Sequence, residues 1–150
     1  MAEIKEYFSV ENKEYWMEQI KASDWEAGQF LYKLLRENRL KEMCGEETAV
    51  LMLVEKEKLI GFCTLAQKDD IQPTNLTPWV GFVYIFPKYR GYHFSGRLLA
   101  YAEELAAKEG KEYIYISTNH VGLYEKFGYS FYELQKDIGG EDSRVYRKKV

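Results

Sequence analysis

The stretch that decides the fold is Val83–Arg97, VYIFPKYRGYHFSGR. Val83, Tyr84, Ile85 and Phe86 are strand formers. Pro87 ends the pairing, because it has no N–H to give a ladder. Arg90 and Gly91 then lead into Phe94, Leu98, Leu99, Ala102, Leu105 and Ala106. These recur at three- and four-residue spacing, which predicts a helix from Phe94 to Glu109 with Gly110 as its stop. A strand that delivers a loop onto a helix N-terminus makes an anion site. The first-turn N–H groups are unpaired there, and the helix dipole favours negative charge. Arg90 and Arg97 add cationic donors suited to phosphate. The expectation is a phosphate or pyrophosphate cradle. The glycines are too few for a dinucleotide fingerprint, and GxxxxGK[ST] is absent, so neither a Rossmann site nor a P-loop is indicated.

Downstream, Tyr113–Ser117 (YIYIS) reads as another short strand. Thr118, Asn119 and His120 supply turn chemistry. VGLYEKFGY, from Val121 to Tyr129, follows, and a short helix is expected from His120 to Phe127.

These two stretches resemble the paired signatures of the GNAT superfamily of N-acetyltransferases. The acetyl-CoA motif of that family runs V-x-P-x-x-R-G-x-G-x-G/A, followed by a Leu pair. Here it stands as Ile85, Phe86, Pro87, Arg90, Gly91, Tyr92, His93, Phe94 and Ser95, with Leu98 and Leu99 after it. His93 replaces the middle Gly and Ser95 the Gly/Ala. If that loop position takes positive φ, His bears a steric cost that Gly avoids. The second signature is L-Y-E-K-x-G-F, here Leu123, Tyr124, Glu125, Lys126, Phe127, Gly128 and Tyr129. The family often has an Asn seven residues before the Tyr. Ser117 holds that place here, which leaves Asn119 as the substitute to consider.

The resemblance implies a single domain over residues 1–150 with an α/β (α+β) GNAT fold: a mixed, mostly antiparallel sheet of about seven strands flanked by about four helices. It implies acetyl-CoA as cosubstrate and a primary amine as acceptor, with no metal. The cofactor-binding set it implies is Val83, Tyr84, Ile85, Arg90, Gly91, Tyr92, His93, Phe94, Ser95, Gly96, Asn119 and Lys126. In the family the fourth and fifth strands splay apart. The backbone of Val83 and Ile85 would then pair with the pantetheine amides, and an N–H near Ile85 would hold the thioester carbonyl. Tyr124 would be the general acid, and His120 is the best-tuned base by reference pKa. Asp69 and Asp70 at the end of the third strand, and His93 in the loop, are further candidates. The ordinary reading of each Asp is a solvated turn residue. A CoA-binding or sensor domain without catalysis is the alternative, supported by His93 and opposed by the retained Tyr124. An interaction protein without ligand is a third reading, supported only by the aromatic load. Many relatives dimerise, so a homodimer stays open.

Composition agrees with an ordinary globular chain. The net charge of −3 supplies no basic field for nucleic acid. Arg144, Arg147, Lys148 and Lys149 alternate with Val145 and Val150, and an exposed edge strand is expected there. Cys44 and Cys63 lie far apart without metal-ligand spacing, and a reducing cytoplasm is the default expectation. No run approaches membrane-spanning length.

The first half carries compatible elements and no signature. A first strand is expected over residues 2–9, then a helix capped by Asn12. Ser23–Glu26 has the form of a capping box opening a second helix, with Gly45 following it. Thr48–Val54 and Lys58–Gln67 read as a hairpin around a charged turn. Lys68–Pro78 is the most loop-like segment. Two closing strands surround Gly139-Gly140. Asp69, Asp70, Glu46 and Glu47 are possible attractors for a cationic amine such as a polyamine or aminoglycoside. Trp16, Trp25 and Trp79 could wall an acceptor pocket, though core packing would account for them equally.

Overall fold

Alternating apolar residues and tight turns build one continuous sheet. A computed structural model describes all 150 residues. The strands are β1 (Glu3–Glu6), β2 (Ala49–Glu55), β3 (Lys58–Ala66), β4 (Trp79–Ile85), β5 (Tyr113–Thr118), β6 (Ser130–Lys136) and β7 (Asp142–Lys149). The helices are α1 (Lys13–Lys21), α2 (Glu26–Arg36), α3 (Leu40–Cys44) and α4 (Phe94–Lys108). The sheet order is β1-β2-β3-β4-β5-β7-β6, and every neighbouring pair is antiparallel except β4 with β5.

The helices cover both faces. Trp16, Met17 and Ile20 of α1 and Leu31, Leu34 and Leu35 of α2 bury against Val50, Met52 and Phe62 on one face. Leu98, Leu99, Ala102 and Ala106 of α4 bury against Leu51, Leu53, Ile60 and Ile114 on the other. Successive residues of β2 thus serve opposite cores, as the pleat requires. The β2–β3 hairpin turns on Lys56 and Glu57, whose φ values of 50° and 63° are those of a two-residue primed turn.

Several expectations need correction. The first strand stops at Glu6, and Tyr7–Ser9 form a 3-10 turn. Asn12 does not cap α1; its Oδ1 accepts from Trp16 Nε1 at 3.1 Å. Ser23 does not cap α2, because its hydroxyl donates to the Ile20 carbonyl at 2.7 Å. The second helix ends at Arg36, with Asn38 in the left-handed region at φ 57°, and α3 is a separate element. β7 is not an edge strand: it lies between β5 and β6. Its cations are accommodated by lying over rings. The Arg147 guanidinium sits 4.1 Å from the ring centres of both Tyr113 and Tyr132, and Arg144 sits 4.4 Å from that of Phe131.

Candidate active site

β4 and β5 pair only at Trp79 with Tyr115 and Val80 with Ile116. Beyond that point they diverge, and the gap opens from Gly81 onward. A bulge in β4 marks the divergence. Thr64 pairs with Gly81 and Phe62 with Tyr84, so Phe82 and Val83 oppose the single residue Cys63. Phe82 takes φ 52° there, a left-handed conformation uncommon for an aromatic residue. Tyr84 is paired toward β3, so Ile85 turns its backbone N–H and carbonyl into the gap.

Two cavities meet in this gap. One, of about 530 Å³, runs along β4 to the start of α4 and is lined by Val83, Tyr84, Ile85, Arg90, Gly91, His93, Phe94 and Ser95. The other, of about 520 Å³, runs between the β3–β4 loop, the α2 region and β5, with Asp69 and Asp70 on its wall. Trp25, Val83, His120 and Tyr124 line both. Tyr124 thus stands at the waist between them. It is only 9% exposed. It opens a 3-10 turn, Tyr124–Phe127, rather than the helix expected from His120. Gly122 at φ 89° breaks any helix before it. Glu125 accepts the Gly122 N–H at 2.9 Å and fixes the approach to Tyr124. Tyr129, at the end of the same motif, donates to Glu103 of α4 at 2.8 Å, and Lys148 reaches that carboxylate at 2.9 Å.

The strand, loop and helix of the expected cradle form, and its cations are placed differently. His93 is the N-cap of α4 and takes φ 62°, so this position does require positive φ and His adopts it. No side chain caps the helix, which leaves the first-turn N–H groups of Phe94, Ser95 and Gly96 facing outward. Arg90 instead turns back: its Nε donates to the Ile85 carbonyl at 2.9 Å, and its guanidinium lies 5.4 Å from the Tyr84 ring centre. Arg97 donates to the Ala2 carbonyl at 3.0 Å. Both cations therefore strap the fold. Gly96 lets α4 approach the 3-10 turn; a Cβ there would lie 3.0 Å from the Phe127 ring.

The remaining predicted residues divide. Tyr92 is exposed, and neither it nor Gly96 lines the cradle cavity. Lys126 is exposed and lines neither cavity. Asn119 and Ser117 line the Asp69 cavity, and the Ser117 hydroxyl lies 2.7 Å from that of Ser143. His120 is exposed at the waist, with its N–H bonded to Thr118 Oγ1 at 3.1 Å. Trp16 and Trp79 are fully buried core residues, while Trp25 stacks on Tyr84 at 5.4 Å and faces both cavities.

Asp69, an ordinary turn residue by sequence, lines the cavity at the head of the gap. Its carboxylate lies over Gly81, at the point where the strands part; a Cβ on Gly81 would come 2.8 Å from Asp69 Oδ1. Burial, then the neighbouring Asp70 charge, pushes its pKa up to about 7. Burial also raises Asp70, opposed by the Ser117 hydroxyl. Asp70 Oδ1 is buried and has no hydrogen-bond partner. The signal available in sequence was the adjacency of two Asp at a strand end.

Both thiols are held protonated. Cys44 lines the Asp69 cavity, where burial raises it to about 11, and burial raises Cys63 to about 12. Burial, with a smaller contribution from Cys63, raises Tyr124 to about 12. The site therefore offers a protonated phenol at the waist, a carboxyl poised near neutrality, and no thiolate nucleophile.

Comparisons with known proteins agree with this fold. The profile of the acetyltransferase (GNAT) family matches residues 5–129. Among solved structures, the fold is similar to a GNAT-family acetyltransferase from Desulfovibrio desulfuricans, at 15% identity and TM-score 0.72 over 99% of each chain. It is similar to the aminoglycoside 6'-N-acetyltransferase of Enterococcus faecium, at 16% identity and TM-score 0.70, covering 98% of this chain and 96% of that one. A GNAT acetyltransferase from Elizabethkingia anophelis with acetyl-CoA bound matches at 13% identity and TM-score 0.67, covering 99% and 98%. At these identities the likeness is one of fold. No curated protein matches the sequence.

Proposed function

Because this chain belongs to the GNAT acetyltransferase family, we propose that it transfers acetyl from acetyl-CoA directly to the nitrogen of a primary amine. The observation that carries this reading is the position of Tyr124 on the wall of both cavities. One cavity ends at an uncapped helix N-terminus suited to phosphates, and the other holds carboxylates suited to an ammonium. The two reactants would meet beside the phenol.

Acetyl-CoA supplies the acetyl thioester; the chain's own residues do the rest. The first-turn N–H groups of α4 bind the pyrophosphate, and the Ile85 N–H donates to the thioester carbonyl as negative charge grows on its oxygen. Asp69 takes the proton that the amine carries at neutral pH, where a Lys-like ammonium has a pKa of about 10.4. The base role expected of His120 is proposed instead for Asp69, whose carboxylate lies over Gly81 at the gap. As the C–N bond forms and the C–S bond breaks, Tyr124 donates to the departing sulfur. With Tyr124 at about 12 and a thiol near ~8.5, full proton transfer is uphill by roughly 5 kcal/mol. Tyr124 therefore acts chiefly by hydrogen bonding to the developing thiolate, which takes up the second proton that the nitrogen sheds as the amide forms.

The test is a thermal-shift titration with acetyl-CoA, using acetyl-pantetheine as control, followed by thiol release across an amine panel. A ligand at a hundredfold its dissociation constant adds about 2.7 kcal/mol, a rise of roughly 5–10 °C for a domain of this size. A rise with acetyl-CoA and thiol release with at least one amine is the expected result. Binding without release from any amine would favour the catalytically inactive alternative. No binding of either would remove the reading.

A further inference from the structure

The walls of the Asp69 cavity specify its occupant. Phe30 is 42% and Ile138 57% exposed, and both lean on this one opening. Trp25, Met43 and Phe82 complete the apolar wall, with the Phe30 and Phe82 rings 6.4 Å apart. Asp69 and Asp70 supply the charge, and no Lys or Arg lines the cavity. Asp70 Oδ1 is buried without a partner, and an unpaired buried acceptor is costly. A primary ammonium carries three donors and suits two adjacent carboxylates.

The rest of an acceptor meets a different environment. A second cation would leave water against Trp25, Phe30 and Ile138 with no counter-charge, which is unfavourable. A carboxylate beside the amine would face Asp69 and Asp70 with no Lys or Arg on the cavity wall to offset them. An aromatic or branched alkyl group would instead cover the exposed rings. We infer that the acceptor is a primary monoamine carried on an aromatic or branched apolar group, with no second cation and no carboxylate. This rests on the assignment of the Asp69 cavity to the acceptor.

Calorimetric titration without acetyl-CoA tests it, with phenethylamine, phenylalanine and spermidine as probes. Phenethylamine is expected to bind, with phenylalanine and spermidine weaker by about tenfold or more. Asp70→Asn should weaken phenethylamine by about tenfold. Phe30→Ala, at an exposed position, should weaken phenethylamine roughly fivefold and leave spermidine unchanged. Phenylalanine or spermidine binding as tightly as phenethylamine overturns the inference. So does indifference of phenethylamine to Phe30→Ala. Failure of phenethylamine to bind while acetyl-CoA still raises the melting temperature overturns the acceptor class and leaves the transferase reading standing. Phenethylamine binding without any acetyl-CoA effect overturns the transferase reading, and with it the assignment of the bound amine as an acceptor.

Discussion

Tyr124 and Asp69 make opposite demands on the same low-dielectric gap. Burial keeps the phenol protonated, and the same burial lets the carboxyl exchange a proton near neutrality. Tyr124→Phe retains the ring and removes the donor. Turnover should fall about 100-fold with acetyl-CoA affinity unchanged; equal turnover would remove Tyr124 from the reaction. Asp69 faces Asp70 and the protonated Cys44 thiol, with His120 across the cavity. Its folded pKa, about 7, stands above its ordinary 3.8. The folded chain therefore holds a proton that the unfolded chain has lost across that window. Stability falls as pH rises from 4 to 7 and stays reduced above it. Asp69→Asn removes this cost. Its melting temperature should match wild type near pH 4 and exceed it by on the order of 5 °C at pH 8. The same variant should lose the rise of kcat/KM through neutral pH. A retained limb would return the base role to another group.

At the scale of elements, the strand–loop–helix from β4 to α4 was legible and the acid wall was not. Val83–Arg97 declares itself because strand formers, Pro87, Gly91 and the Leu98–Leu99 repeat act locally. α4 was expected from Phe94 to Glu109 and forms from Phe94 to Lys108. The position of Asp69 depends on the register of β3 against β4, with Thr64 opposite Gly81, and on how the intervening loop folds back. Such long-range pairing leaves no periodic trace. The break between α2 and α3 did leave one, since Asn38 is a residue type that tolerates the left-handed region at a helix end. Arg90 shows the limit of reading by residue type. A guanidinium in a phosphate loop suggested a phosphate ligand, yet it ties the loop to the end of β4. Arg90→Ala should accordingly weaken acetyl-CoA and acetyl-pantetheine alike, by roughly fivefold. Selective loss of acetyl-CoA would show that the guanidinium reaches the phosphates after all.

Across the whole molecule, the sheet carries its site where its own bonding is weakest. The α4 core runs beneath it from β2 to β7, whereas the α1 and α2 core stays with β2, β3 and β4. The two pairs between β4 and β5, with the Tyr115 N–H to the Pro78 carbonyl at 3.0 Å, are the ladder contacts across the gap. The plates β1–β4 and β5–β7–β6 thus share a seam stitched at one end. A molecule lying along the open end would serve as the missing stitches, and its effect should spread past the residues it touches. Amide hydrogen exchange would reveal this. Acetyl-CoA should slow exchange by about tenfold or more along β5 and into β7, as well as at Ile85. Protection confined to β4 and the α4 loop would mean that the plates are already locked by their helices. If the wider pattern appears, the chain stiffens only while loaded, and the departure of CoA loosens the seam again.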